Sequence, residues 1–527
     1  MYCSLCHVYQ PKSEIYFFGF SRGAHTVRTL AGFVSSQGIL NPARYESDSE
    51  LRKDIEILFK GFRFREFDES ERSLETFYYN EIKYRKQLAA NRGSFVDLVR
   101  GQISSIRKAE KLFKSNKIEF WKDHHPETKR SLSSELVHPH DVDKANRVGI
   151  RFLGLWDTVD SVGFPVEWVA DFWNEFVYRF QFRNYRVNSF VSCALHAVSI
   201  DEIRKSFALK LIDVGGQNST ADGETRNSTD DDVVLMSQTA DQVKNGASGE
   251  KERVKQVWFS GVHSNVGGGY PKQGLAHISL CWIADAAKNE GLIIDDDMIM
   301  TITDNQIASK TNKLYATLSN PHDKIYDPRA GIWGIYSYEA RDIQSLHQKF
   351  CGVDPDYLPR IDSSVLARIA RRTQNYAPFN IPQEFEPFDS CDTNPCGFLG
   401  DSNAPKYIKE EWKSTSRQKL DSVLEFSKSW SLRLRVLRAL IIFLALLFMF
   451  SLIFGFCRVE FELVCIESVN KSIFPFWLAG IVILVSTHVY TDHSAKRKLH
   501  QRSSDHWSIC IHKVHRRLQD KSKTKNS

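Results

Sequence analysis

Residues 15–32 have the sequence IYFFGFSRGAHTVRTLAG, and this stretch decides the fold. Its first residues favour a strand, whereas its second half carries apolar residues at helical spacing. Between these parts, Gly19 to Gly23 fit G-x-S-x-G, in which a serine lies on a tight turn from strand to helix. Glycines allow the backbone to pass close to itself, and N–H groups at the helix start can stabilise an oxyanion. The stretch therefore predicts Ser21 as a nucleophile, with Gly19, Arg22 and Gly23 forming the turn around it.

A nucleophilic serine needs a histidine to take its proton, and that histidine needs a carboxylate to fix its tautomer. A predicted strand over 148–156 ends directly before Asp157. A second predicted strand, beginning at Val254, runs to His263 and a triple-glycine turn. Functional side chains gather at the carboxyl ends of parallel strands, and the chain order serine, acid, histidine is that of α/β-hydrolases. The sequence therefore predicts an α/β fold with a mostly parallel sheet and a Ser21, Asp157, His263 triad.

These residues also have structural interpretations, which stay open at this point. Asp157 could cap a loop beside Thr158, and His263 could be a buried histidine that only forms hydrogen bonds. The residues that could replace a member of the triad are Asp160, Asp201, His196 and His322.

The composition is that of a folded protein with more than one structural unit. The chain has 527 residues, of which 42% are hydrophobic and 25% charged. The formal net charge of +6 is small for this length, and no long basic stripe with interleaved aromatic residues precedes the C-terminal region. Nucleic acid is therefore not an expected partner.

The ten cysteines have no regular spacing, which favours reduced thiols over a disulfide framework. Cys3 to His7 match the C-x-x-C-H pattern of covalent haem attachment. Because the motif stands alone without an apolar haem pocket around it, a plain helix or loop is the preferred interpretation.

The chain divides into a predicted hydrolase domain over 1–385 and a C-terminal region. Residues 41–147 are rich in charged and aromatic side chains at helical spacing, which predicts a helical insertion. Residues 213–250 are dominated by small polar residues, which predicts a mobile loop. A linker is expected over 386–430.

Residues 431–502 are predicted to form a transmembrane helical hairpin. Segments 439–457 and 472–490 are each 19 residues without a charge, close to the roughly 20 that span a bilayer core. Basic residues precede the first segment and follow the second. The positive-inside rule then places both chain ends in the cytosol, with 503–527 as a basic tail. The alternative is a pair of buried core helices, against which the lack of a polar face argues.

Five blocks of the sequence resemble the α/β-hydrolases related to type VI secretion phospholipase effectors. The blocks are 9–32, which begins with YQP and includes IYFFGFSRGAHTVRTLAG at 15–32, FLGLWDTVDSVG at 152–163, HAVSIDEIRKSF at 196–207, VWFSGVHSNVGGGY at 257–270 and, more weakly, SVLARIARRTQNYAPFNIP at 364–382. Their occurrence in order is far more specific than G-x-S-x-G alone. The resemblance implies a hydrolase of lipid esters that uses a Ser-Asp-His triad without a metal or organic cofactor.

Two departures from the family pattern bear on activity. Family members usually begin with a strand bearing a D-G-T turn beside the nucleophile, whereas 20 residues precede Ser21 here. The fold is therefore expected to be N-terminally truncated and to lack one oxyanion donor, a loss that costs about 10²–10³ in rate. In the glycine turn, Asn265 replaces the aspartate of the family motif, so an acidic role there is lost.

The leading functional hypothesis is a serine hydrolase of lipid esters anchored in a membrane. One alternative is an inactive membrane scaffold that retains the hydrolase fold, and another is a thioesterase or peptidase. The sequence does not distinguish acyl chain, headgroup, organelle or oligomeric state.

Overall fold

The structure of the chain is a computed structural model. It describes residues 1–10, 13–65, 149–159, 187, 191–214, 252–294, 319–330, 338–351, 357–390, 404–416, 422–434, 436–437, 440–441, 443 and 464–525. Four predicted features lie wholly or mostly outside these ranges. They are the insertion beyond residue 65, the loop over 215–250, Asp160 and the first hydrophobic segment, 439–457.

The described part of the chain contains one six-stranded sheet in which all paired neighbours run parallel. The strands follow each other across the sheet in chain order. They are β1 (Tyr16–Phe20), β2 (Ile150–Trp156), β3 (Val191–Ser199), β4 (Val254–Phe259), β5 (Arg360–Asp362) and β6 (Glu386–Phe388). The predicted α/β class and mostly parallel sheet are confirmed.

The central strands are nearly continuous apolar runs, as expected for parallel strands covered on both faces. In β2, IRFLGLW, every residue but Arg151 and Trp156 is buried. Strand pairing also aligns the carboxyl ends, since Phe20 pairs with Trp156 and Trp156 pairs with Ala197. The residues that follow β1 and β2 are therefore brought to the same edge of the sheet.

Helices cover the sheet and extend the domain beyond it. They are α1 (Tyr2–Val8), α2 (Arg22–Gln37), α3 (Asp48–Arg65), α4 (His263–Gly267), α5 (Gly274–Asn289), α6 (Ile343–Cys351), α7 (Ser363–Ala370), α8 (Ala404–Ser416) and α9 (Val464–Lys525), with a further helix over 422–434. The C-x-x-C-H motif lies in α1, a short helix as expected.

Two hydrophobic clusters lie on opposite faces of the central strands. One packs α1, α2 and α3 against residues such as Leu153 and Ala194. The other packs α5 against Phe152 and Leu195. Adjacent residues of one strand thus point into different layers, which gives a three-layer α/β/α arrangement.

The C-terminal part of α9 packs on the domain. The indole rings of Trp507 and Trp412 stack with centroids 3.7 Å apart, and Trp507 donates a hydrogen bond of 2.8 Å to the carbonyl of Pro378. Ile511 and Val514 are buried in the same cluster. Residues 503–525, which the sequence presents as a basic tail, are therefore a helix with one apolar face against α8.

The predicted transmembrane hairpin is not supported. Among the described residues, no helix has both the length and the apolar character needed to cross a bilayer. The second hydrophobic segment, 472–490, is helical, but it belongs to the 62-residue helix α9. That helix continues into charged residues that contact the domain, such as Asp492 and Lys496.

Replacing Trp507 by alanine should destabilise the C-terminal helix. Loss of a buried tryptophan in a packed cluster costs about 3–5 kcal/mol. We expect a lower midpoint of chemical denaturation, followed by circular dichroism, and faster proteolytic release of the helix. Ile509→Ala is the matched control, because Ile509 is 43% exposed on the same helix. Equal effects of the two substitutions would contradict the packing of Trp507 against Trp412 and Pro378.

Candidate active site

The turn between β1 and α2 presents Ser21 in a strained backbone conformation. Ser21 has φ 60° and ψ −126°, outside the regions that most L-residues adopt. Gly19 makes the turn sterically feasible, since a Cβ there would lie 2.7 Å from the Cα of Ala24. A Cβ at Gly23 would meet nothing within 4 Å, so steric crowding does not require a glycine at this position. The predicted strand, turn and helix around Ser21 are therefore present.

The imidazole of His263 lies against the Ser21 hydroxyl. Its Nε2 is 2.7 Å from Ser21 Oγ, and the side chain of Ser21 does not cap α2. The ring is held between Phe20 and Phe207, with centroid distances of 4.5 and 4.9 Å. Gly267 leaves room for this packing, because a Cβ there would lie 2.1 Å from the Phe20 ring. The histidine is 3% exposed, so its orientation is fixed.

The carboxylate of Asp157 binds the other nitrogen of the same ring. Asp157 Oδ2 is 2.5 Å from His263 Nδ1, and Asp157 is fully buried with a positive φ of 40°. A carboxylate accepts hydrogen bonds only, so Nδ1 carries the proton and Nε2 is left to accept from the serine. The three predicted residues thus form one hydrogen-bonded chain, although Asp157 and Ser21 precede His263 by 106 and 242 positions in the sequence.

Arg341 neutralises the buried carboxylate. Its Nη1 and Nη2 donate to Asp157 Oδ1 and Oδ2 at 2.5 and 2.9 Å, and the Ser199 amide donates to Oδ1 at 2.9 Å. Burial by itself raises the pKa of Asp157. The guanidinium charge and the hydrogen bond from His263 outweigh that effect and hold the pKa well below its usual range. Sequence reasoning missed Arg341, which lies in no recognisable motif.

The alternative histidines have other partners. His196 is buried, and its Nε2 accepts from the Thr158 amide at 3.1 Å while Nδ1 faces Gln256 Oε1 at 3.2 Å. Burial, reinforced by the charge of Arg28, lowers its pKa to about 3, so it remains neutral. His322 bonds Thr373 Oγ1 at 2.6 Å. Neither of these histidines forms a hydrogen bond with Ser21 in the described part of the chain, whereas His263 does.

The reserve carboxylate Asp201 has a structural environment. Its Oδ2 accepts from the Gly261 amide at 2.6 Å and from the Tyr376 hydroxyl at 2.9 Å. These bonds fix the loop between β4 and His263. Burial raises the pKa of Asp201.

Asn265 joins the histidine helix to the segment 324–326. Its Oδ1 faces the Val262 amide at 3.3 Å, and its Nδ2 donates to the Lys324 carbonyl at 3.0 Å. A carboxylate cannot make the second bond, because it has no N–H to donate. The amide that departs from the family motif thus has a specific partner in this chain.

Helix α2 begins at Arg22, directly after Ser21, which is its N-cap residue. In an α-helix the first amides have no intrahelical acceptor, and they favour negative charge. The amides of Arg22 and Gly23 occupy this position directly after Ser21. The arrangement can therefore activate a hydroxyl and stabilise an oxyanion next to it. The side chain of Arg22 is exposed, so only its backbone belongs to this site.

Replacing Arg341 by methionine should destabilise the protein by about 3–5 kcal/mol at neutral pH, because it leaves a buried charge unpaired. The depressed pKa of Asp157 gives stability above the ordinary aspartate value of about 3.9, and that stability is lost as pH falls below it. The difference between variant and wild type in urea denaturation should therefore shrink in acid.

Lys428→Met is the control for the Arg341 substitution. Lys428 pairs with Asp342 but is 68% exposed, so we expect a loss of at most about 1 kcal/mol. A pH-independent loss in the Arg341 variant would contradict the charge pairing.

A comparison with known protein families finds a match over the part of the chain that carries this site. The family model described as T6SS, phospholipase effector Tle1-like, catalytic domain matches residues 1–286, which is more than half of the 527 residues. The match includes the turn at Ser21 and the residues Asp157 and His263. No curated protein and no solved structure matches the chain significantly. The chain therefore belongs to the family of T6SS Tle1-like phospholipase effector catalytic domains.

Proposed function

We propose that the chain is a serine hydrolase that cleaves ester bonds of phospholipids. Membership of a phospholipase family supports a lipid substrate. The observation that carries the serine mechanism is the hydrogen-bonded chain from Ser21 Oγ to His263 Nε2 and from His263 Nδ1 to Asp157 Oδ2. Serine hydrolases use this order of groups.

In the proposed reaction, the Ser21 oxygen attacks the acyl carbonyl carbon while its proton passes to His263 Nε2. The amides at the start of α2 stabilise the negative oxygen of the tetrahedral intermediate. Protonated His263 then donates to the leaving alcohol, and the C–O bond breaks to give an acyl-enzyme on Ser21. Water, activated by the same histidine, attacks the acyl-enzyme and restores the serine. Asp157 stabilises the imidazolium throughout.

Ser21→Ala should lower hydrolysis of a chromogenic acyl ester by about 10³-fold or more, because no other group can form the acyl-enzyme. A fluorophosphonate probe should label the wild type at Ser21 and leave the variant unlabelled. Ser13→Ala is the control, since Ser13 is an exposed serine eight positions upstream. An unlabelled wild type that is otherwise folded would favour the inactive scaffold, and full turnover by the variant would exclude this nucleophile.

We also propose that the chain associates with a membrane surface through its C-terminal helices. The side chains of α9 between 482 and 490 include exposed apolar residues, with Ile483 and Val489 each 64% exposed. Val436 and Phe443, which are helical residues nearer the C-terminus than 422–434, are also exposed. Large exposed apolar faces mark interaction sites, and a lipid substrate makes a bilayer the fitting partner. Orientation with both chain ends in the cytosol stays a prediction.

Introducing charge on this exposed apolar stretch of α9 should weaken binding to phospholipid vesicles. We expect the double variant Ile483→Asp, Val489→Asp to sediment with anionic phosphatidylcholine and phosphatidylserine vesicles at least tenfold less than the wild type. Its turnover of a soluble short-chain ester should be unchanged. The control is His500→Asp, Gln501→Asp, which adds the same charge at exposed polar positions of α9. Equal vesicle binding by all three proteins would refute the membrane proposal.

A further inference from the structure

We propose that Cys3, His7 and Asp48 form a site for a zinc ion that joins α1 to α3. Cys3 and His7 lie one turn apart on α1, so their side chains share a face of the helix. Asp48 is the first residue of α3, and the two helices pack together. The ligand atoms of all three residues lie within 4.8 Å of one another. The geometry brings a thiol, an imidazole and a carboxylate to one point.

The donor set is the one that zinc prefers among common divalent ions. Sulfur, imidazole nitrogen and carboxylate oxygen bind zinc at about 2.3, 2.0–2.1 and 2.0–2.2 Å, normally in a tetrahedron. His7 Nε2 and Asp48 Oδ1 are already 3.0 Å apart, close to the separation of two such ligands. Calcium and magnesium favour oxygen ligands alone, so the thiol argues against them.

The site needs only small side-chain movements to close. His7 and Asp48 are exposed and can rotate toward an ion, while Cys3 is half-buried against the core cluster and offers its thiol at the edge of that cluster. Binding would form a zinc–sulfur bond and release the thiol proton to solvent. A water molecule can supply the fourth ligand of the tetrahedron.

The second cysteine of the motif belongs to the core instead. Cys6 is fully buried beside Tyr2 in the hydrophobic core. A thiol in that position can reach neither an external metal nor a haem vinyl group. The C-x-x-C-H sequence is thus divided between two faces of α1, with Cys3 and His7 on the outer one.

The proposed ion would fasten the far end of the nucleophile helix. The Tyr2 hydroxyl donates to the Gly38 carbonyl at 2.9 Å and accepts from the Leu40 amide at 3.2 Å, which ties α1 to the C-terminus of α2. Ser21 lies at the opposite end of this 16-residue helix, about 24 Å away. The ion would therefore support the fold without entering the ester chemistry.

Metal binding can be measured on the full chain after treatment with a chelator. We expect one equivalent of zinc to bind in isothermal titration calorimetry and to raise the melting temperature by several degrees. Cobalt bound in place of zinc should show a thiolate-to-metal charge-transfer band in the near ultraviolet. Ester hydrolysis at the triad should be the same with and without the metal.

Single substitutions then identify the ligands. Cys3→Ser should remove the charge-transfer band, and His7→Gln and Asp48→Asn should each weaken zinc binding at least tenfold. His512→Ala is the control, because His512 is an exposed histidine on α9 far along the chain. These ligand variants alter accessible side chains, and circular dichroism checks that each one folds. No binding at micromolar zinc in the wild type, or unchanged binding in Cys3→Ser and His7→Gln, would overturn the proposal.

Discussion

The ion pair between Asp157 and Arg341 is the interaction on which the rest of the site depends. Transferring a carboxylate from water to the interior costs several kcal/mol unless an opposite charge and hydrogen bonds replace its hydration. Arg341 supplies a two-pronged guanidinium contact, and the Ser199 amide adds a further bond. Because Asp157 stays charged, it can hold the Nδ1 proton of His263. The nucleophilic role that we propose for Ser21 thus depends on an arginine that binds Asp157 rather than the serine.

Much of this arrangement is predictable because parallel strands impose a simple geometry. A strand, G-x-S-x-G and a helical pattern specify the turn at Ser21 locally. Asp157 follows the neighbouring strand, and the carboxyl ends of paired parallel strands meet at one edge. The position of His263 after β4 follows from the same rule. Sequence alone therefore predicts which three residues meet, although it leaves His196 as a competitor until its bonds to Thr158 and Gln256 are seen.

The remaining parts depend on contacts between distant segments that carry no local pattern. Arg341 is 184 residues from Asp157, and nothing about an isolated arginine indicates a buried partner. Asn265 looks like the loss of an acidic group, yet its amide hydrogen has an acceptor in the Lys324 carbonyl. The apolar residues of α9 predict a bilayer from hydropathy alone, whereas Trp507 shows that a later turn of the same helix binds the domain. In each case the role of the residue or helix is determined by a contact with a distant segment, which the sequence alone does not reveal.

Distant contacts also link the region matched by the family model to residues beyond it. The matched region ends at residue 286, before Arg341, β5 and β6. Those strands continue the same sheet, so the matched region would expose the edge of β4 without them. Buried Arg329, also beyond the match, forms an ion pair of 2.8 Å with the partly buried Asp492 of α9. An arginine that lies between Lys324 and Arg341 in the chain is thus paired with the C-terminal helix. Residues outside the matched region are therefore structural components of the candidate active site.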